Sequence, residues 1–311
     1  GHVRVYSWGG LAWIQKGSDI DGEATGDWSG HSVSMSSDGH TIAIGAVRNE
    51  GNGKEAGHVR VYSWRGSTWR QKGSDIDGEA PADLSGHSVS LSSDGNTIAI
   101  GAIGNAENGY ASGHVRVHSW TDSAWTQKGS DIDGEAVTDL SGHSVSLSSD
   151  GNTVAIGAYK NDKNGTDAGH VRVYSWIGSA WTKKGSDIDG EAAEDQSGYS
   201  VSISWDGNTV AIGAPFNDGN RRKAGHVRVY SWSGSAWTQK GSDIDGEVSV
   251  DRSGWSISIS AEGYTVAVGA ELNDGNGNKS GQVRVFRYGF PTGISMKVIG
   301  SAIVYPNPST D

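Results

Sequence analysis

The pentapeptide Gly169-His170-Val171-Arg172-Val173 decides the fold, because it is not alone. The same five residues begin at Gly1, Gly57, Gly113 and Gly225, and a variant, Gly281-Gln282-Val283-Arg284-Val285, follows them. Successive starts lie 56 residues apart, so the 311 residues divide into five repeats and a remainder of 31. A second string, Gly-Ser-Asp-Ile-Asp-Gly-Glu, recurs unchanged from Gly17, Gly73, Gly129, Gly185 and Gly241. Self-similarity at a fixed period marks a chain of supersecondary units, each burying its apolar face against its neighbour.

Outward from that pentapeptide, period-two alternation with β-branched residues predicts four strands per repeat. In the fourth repeat they cover 170–176, 180–188, 199–204 and 209–214. Asp206-Gly207 between the last two is a hairpin signal. Those two strands each carry Val or Ile on one face and Ser, Ala, Thr or Gly on the other. Large faces can then nest on small ones at close-packed density. A chain only 34% hydrophobic can build a continuous core in this way. Four short strands per unit, stacked radially, give an all-β fold, a β-propeller of four-stranded antiparallel blades. A solenoid usually has shorter repeats.

Composition agrees. Gly supplies 48 residues, Trp 13 and Cys 0. So much Gly argues against a helical bundle, since each interior Gly costs a helix about 1 kcal/mol. With 13 Trp, 10 Tyr and 3 Phe there is ample apolar surface to bury, which argues against disorder. The balance of 25 Lys+Arg against 36 Asp+Glu makes nucleic acid a poor partner, because its binding depends on neutralising phosphates. No apolar run approaches the ~20 residues of a membrane helix, so membrane insertion is not expected. Without Cys there are no disulfides and no thiolate metal sites.

Two resemblances add to this reading. Ser197-Gly198-Tyr199-Ser200-Val201, then Val210-Ala211-Ile212-Gly213-Ala214-Pro215, then Gly225-His226-Val227-Arg228-Val229-Tyr230, resembles an FG-GAP repeat, the unit of the integrin α propeller and of many bacterial surface proteins. The likeness runs over residues 1–288. The sequence departs from the family pattern at Ser29, Ser85, Ser141, Ser197 and Ser253, where an aromatic residue would precede Gly, and it lacks the integrin-type calcium loop. A tight turn such as Ser148-Ser149-Asp150-Gly151 stands there instead and is similar to a turn of WD-repeat propellers. The FG-GAP order implies an inner Ser-Gly-His-Ser-Val-Ser strand and an outer Trp-x-Gln-Lys-Gly-Ser-Asp-Ile strand. Complete blades then fall near 28–76, 84–132, 140–188 and 196–244. The last blade lacks its outer strand, which is expected from the N-terminus. A ring of six or seven blades, with repeats before Gly1, is the expectation. Residues 289–311 read as a linker and the start of a sorting segment. There Tyr305-Pro306-Asn307-Pro308 resembles the opening of the C-terminal sorting domain of type IX secreted proteins of Bacteroidetes, implying engagement of that secretion machinery and an extracellular or outer-surface location.

Repeated polar groups supply the candidate sites. Asp19, Asp21, Glu23 and Asp27 recur as Asp75, Asp77, Glu79 and Asp83, as Asp131, Asp133, Glu135 and Asp139, as Asp187, Asp189, Glu191 and Asp195, and as Asp243, Asp245, Glu247 and Asp251. Carboxylates at alternate positions suit a hard cation such as Ca²⁺, and Asp also ends strands and caps turns. The loop before each Gly-His-Val strand holds Asn161, Asp162 and Asn164, then Phe216, Asn217, Asp218 and Asn220, then Asn273, Asp274 and Asn276. Around it Arg48, Tyr110, Lys160, Phe216 and Leu272 vary on a constant scaffold, which fits ligand recognition. Paired tryptophans such as Trp64/Trp69 and Trp232/Trp237 bracket the outer hairpin, where they stabilise an edge or stack on sugars. Trp28, Trp205 and Trp255 break the repeat. The His31, His87 and His143 position becomes Tyr199 and Trp255, which points to packing. The His58, His114, His170 and His226 position reads as hydrogen bonding at a blade edge.

Every polar motif occurs about five times, whereas catalytic sites are singular, so no enzyme is expected. The leading reading is a secreted or surface adhesion module that binds a glycan or protein through repeated weak sites. A structural spacer is the first alternative and a propeller-type carbohydrate-active enzyme the second.

Overall fold

Alternating β-branched and small residues give strand after strand, and the described residues contain no helix. The computed structural model describes residues 1–289 and the strand Met296–Ala302. The expected sorting motif, Tyr305 to Pro308, lies outside the described residues. The described residues fall into two compact units: 1–151 with 177–181, and 152–176 with those from 182 onward.

In the first unit, Ser29–Met35, Thr41–Ala46, His58–Arg65 and Thr68–Gln71 form one antiparallel sheet in that order, and Ile76–Asp77 returns to pair with His58–Arg65. Ser85–Leu91, Thr97–Ala102, His114–Thr121, Ala124–Gln127 and Ile132–Asp133 repeat the arrangement. Before them His2–Val3 pairs with Ile20–Asp21 and Tyr6–Trp8 with Trp13–Gln15. In the second unit Ser200–Ile203, Thr209–Ala214, His226–Trp232, Trp237–Gln239 and Ile244–Asp245 form the equivalent sheet. The fold is the expected all-β propeller of four-stranded antiparallel blades.

Two details differ from expectation. The outer strand, read as continuous over 180–188, is broken in every complete sheet. In the first, Thr68–Gln71 and Ile76–Asp77 both pair with His58–Arg65, and the chain between them swings out at Gly73. The break has a packing cause. Gly73 lies at φ +81°, and a Cβ there would stand 2.7 Å from the Trp120 ring. Second, the last sheet takes its fourth strand from Met296–Ala302, which pairs with Gln282–Tyr288, and not from the N-terminus. The N-terminal strand is already paired within its own repeat.

Large-on-small nesting builds the core. Ala43, Val59, Val61 and Ile76 on one sheet meet Leu91, Ile98 and Ile100 on the next. In the second unit Ala211, Val227, Val229 and Ile244 meet Val266, Val268 and Phe286 in the same way. Ile98 and Val59 are fully buried. Fully burying such side chains contributes about 1.5–3 kcal/mol each. The small face also carries hydrogen bonds. Ser32 Oγ donates to Gly86 O and Ser88 Oγ to Gly142 O, both at 2.7 Å, while Leu91 N donates to Ser34 Oγ at 2.9 Å.

Candidate functional site

The residues that begin the third strand of each repeat form the first site. His58, His114 and His226 are buried, pinned at the strand start by pairing on both sides. His114 Nδ1 lies 3.9 Å from Glu79 Oε2 and 3.6 Å from Asp131 Oδ2. His58 Nδ1 lies 3.8 Å from Glu23 and 3.6 Å from Asp75, and His226 Nδ1 3.8 Å from Glu191 and 3.7 Å from Asp243. The glutamate always comes from the preceding repeat. Burial pushes the His114 and His226 imidazoles down to about 4, so both are neutral at pH 7. Such a set of one imidazole and two carboxylates is able to hold a divalent cation.

The four-residue carboxylate motif is therefore divided by the fold. Its glutamate and aspartates approach the histidine. Its fourth member is tied to the backbone: Asp27, Asp83, Asp139, Asp195 and Asp251 are buried and accept backbone N–H groups from Ala24, Ala80, Ala136, Ala192 and Val248, and Asp83 at the same time stays within reach of Glu79 and His114. Asp21, Asp77, Asp189 and Asp245 give their carbonyls to Arg60, Arg116, Arg228 and Arg284. Glu247 sits 3.6 Å from Arg284, beside Gln282 in place of a histidine. Asp19 is joined to Arg4 at 3.0 Å. Asp187 is neutralised by Lys183 at 2.8 Å and Lys163 at 3.0 Å, and Lys163 also reaches Asp189 at 3.3 Å. Asp133 and Glu135 follow in the second sheet's outer segment, Asp133 within the His114 cluster. The sequence signal for the histidines was their exact repetition beside Arg; nothing local in the chain showed that a glutamate from the preceding repeat would face them.

The Asn/Asp loops mostly hold themselves. Asn161, Asn217 and Asn273 are buried, and their Oδ1 atoms accept from Lys163, Gly219 and Gly275 N. Asn164 and Asn220 donate to Gly190 O and Gly246 O. Asp162, Asp218 and Asp274 accept from the N–H groups of Asp167, Lys223 and Lys279, and Asn276 is exposed. These are Asx-type contacts that set loop shape.

Phe216 belongs to a second feature that sequence reading did not assemble. In the second unit Tyr159, Tyr199, Trp255 and Phe216 form one half-buried aromatic platform. Ring centroids are 5.3 Å apart for Tyr159–Tyr199, 4.5 Å for Tyr199–Trp255 and 6.5 Å for Phe216–Trp255. Arg252 packs on both Phe216 and Trp255, at 4.8 and 5.4 Å, and donates to Glu271 Oε1 at 2.8 Å. Burial, with help from Tyr159 and Glu271, pushes the Tyr199 hydroxyl up to about 12. A cleft beside the platform is lined by Trp255, Glu271, Ser280 and Gln282. Arg252 stands at a position whose backbone is held left-handed in every repeat: Trp28, Leu84, Leu140, Gln196 and Arg252 have φ of 54–57°. Non-glycine residues pay conformational strain there, and such strain gathers at sites that over-determine a side chain's direction.

Comparison with known proteins bears on the fold that carries these features. The FG-GAP repeat model matches residues 18–62, 127–174 and 187–230. The chain carries FG-GAP repeats in three places. Among solved structures it is similar to a candidate 6-phosphogluconolactonase from Bacteroides uniformis, at TM-score 0.61 and 11% identity, covering 96% of this chain and 81% of the other. It is also similar to the hydrazine synthase of Kuenenia stuttgartiensis, at TM-score 0.51 and 14% identity, covering 86% of this chain and 66% of that one. No curated protein matches the chain. Identities this low carry the fold alone. They nevertheless correct the expectation that this chain is no enzyme, because the same architecture serves in a candidate lactonase. Repetition does not preclude a singular site: Arg252 and Glu271 form a polar pair that the residues at the equivalent positions of the other repeats cannot form.

Proposed function

We propose that the chain is a binding module whose ligand is a glycan, seated on the Tyr159–Tyr199–Trp255–Phe216 platform. One observation carries the reading: the platform and its Arg252–Glu271 pair are built from residues that depart from the repeat, on a backbone that does not. Apolar sugar faces stack on aromatic rings, and a half-buried Arg–carboxylate pair supplies directed donors and acceptors for hydroxyl groups. A glycan array probed with the intact chain, with Trp255→Ala as control, tests it. Retention of a sugar class that falls at least tenfold in the variant is the expected result. Uniform silence, or binding indifferent to Trp255, removes the reading and favours a spacer or a protein ligand.

A second reading, turnover of a sugar lactone, is supported by the shared fold and by the singular Arg252–Glu271 pair. Lactone hydrolysis abolished by Glu271→Gln would establish it. The resemblance of Tyr305-Pro306-Asn307-Pro308 to a sorting signal supports export through type IX machinery to the outer surface, where a glycan-binding role is useful. Release of the chain into the medium, lost when that motif is deleted, tests the location.

A further inference from the structure

We infer that the His–Glu–Asp clusters are divalent transition-metal sites, three per chain, centred on His58, His114 and His226. The site is clearest at His114, whose side chain is 1% exposed and whose Nδ1 has no hydrogen-bond partner among the described residues. Nδ1 faces Glu79 Oε2 and Asp131 Oδ2 at 3.9 and 3.6 Å, too long for hydrogen bonds. Two donors held by one tetrahedral ion at ~2.0–2.2 Å stand about 3.4 Å apart, so a few tenths of an ångström of closure would bring all three onto a cation.

The surroundings orient the carboxylates for this. Arg116 Nη1 holds the other Glu79 oxygen at 3.5 Å, and Gln127 Nε2 donates to the other Asp131 oxygen. Each carboxylate thus has one oxygen engaged and one aimed at the imidazole. The same division recurs at His58, where Arg60 takes Glu23 Oε1 and Gln71 takes Asp75 Oδ1. It recurs again at His226, where Arg228 takes Glu191 Oε1 and Gln239 takes Asp243 Oδ1. Partners that fix a ligand's orientation from behind are the usual support of a metal site. An imidazole with two carboxylates suits Zn²⁺ or Mn²⁺ better than Ca²⁺, which takes oxygen donors in larger number. The other positions are unsuited by their own residues. Asp187 is held by Lys163 and Lys183, and Gln282 replaces the histidine in the last repeat.

The chain, stripped with chelator, is titrated with ZnCl₂ by calorimetry, with CaCl₂ as the contrasting ion and bound metal counted by elemental analysis. Three equivalents of Zn²⁺, with Ca²⁺ silent, are expected. His58→Gln, His114→Gln and His226→Gln should each remove one equivalent and the triple variant all three. Glutamine is already accommodated at 282, and circular dichroism confirms that each variant is folded. Absence of Zn²⁺ binding by the unmodified chain, or a count unchanged in the folded triple variant, overturns the proposal.

Discussion

The indole Nε1 of Trp69 donates to the carbonyl oxygen of Lys16 at 2.7 Å, across 53 residues of sequence. The bond recurs from Trp125 to Lys72 and from Trp237 to Lys184. In each case the lysine ammonium also lies over the tryptophan pair; Lys72 Nζ sits 5.2 Å from both Trp120 and Trp125. The paired tryptophans are therefore clamps between successive repeats. Trp125→Phe keeps an aromatic ring but loses the N–H donor and part of the packed indole surface, leaving a carbonyl without its partner. It should destabilise the fold by about 1–3 kcal/mol, read as a lower urea midpoint at unchanged m-value.

Close approach of stacked sheets predicts a larger effect at Gly101. A Cβ there would stand 2.0 Å from the Gly142 carbonyl oxygen, a backbone atom that cannot step aside alone. Gly101→Ala should cost at least about 3 kcal/mol, the upper end of overpacking penalties, and lower the melting temperature accordingly. An unchanged melting temperature would show that the sheets can slide.

Core truncation should read out the nesting. Ile98 is fully buried between Val59, Val61 and the rest of its cluster. Ile98→Ala is expected to cost about 2–5 kcal/mol, whereas Val33→Ala, on a half-exposed side chain, should cost well under half of that. Denaturant unfolding of the two variants side by side makes the comparison.

Acid should weaken the inner strands. His87 Nε2 and His143 Nδ1 are 3.2 Å apart, and the His31 ring lies tilted against His87 at 5.0 Å. Burial, with the neighbouring His143 and His31, pushes His87 down to about 3, and burial with His31 pushes His143 to about 4. Both lie below the unfolded value of about 6.5, so the unfolded chain binds more protons in the interval between. The contribution is fully present above pH ~6.5 and is lost as the pH falls through about 4 toward 3. Melting temperature should drop over that window. The double variant His87→Tyr/His143→Tyr, which copies the residue at 199, should make the drop shallower, the remainder belonging to other buried imidazoles such as His114 and His226.

Most of the strand plan was legible because it rests on period-two alternation repeated five times, and repetition averages out local ambiguity. Val201, Ile203, Val210 and Ile212 lie on the large face as read, and they pack against Ala155, Val171 and Val173. The break at Gly73 was not legible, because its cause, Trp120, belongs to the following repeat. The metal-type clusters were half legible for the same reason. Glu79 and Asp131 were singled out within their own repeats; pairing within the sheet brings the Asp131 segment to His114, but only stacking brings Glu79 from the preceding repeat. The aromatic platform was least legible: Tyr199 and Trp255 share one repeat position, but Tyr159 and Phe216 stand at different ones, and only the fold brings the four rings together.

The bonds between repeats have fixed offsets: 53 residues for Trp69 to Lys16, 54 for Ser32 to Gly86, 57 for Leu91 to Ser34. Such contacts are specified relative to the chain and not by absolute position. Gain or loss of a whole 56-residue copy re-creates every one of them, so copy number can drift through unequal recombination without any interface having to be reinvented. Selection can then act on the few private substitutions, such as Arg252 and Trp255, while the frame that carries them is inherited ready-made.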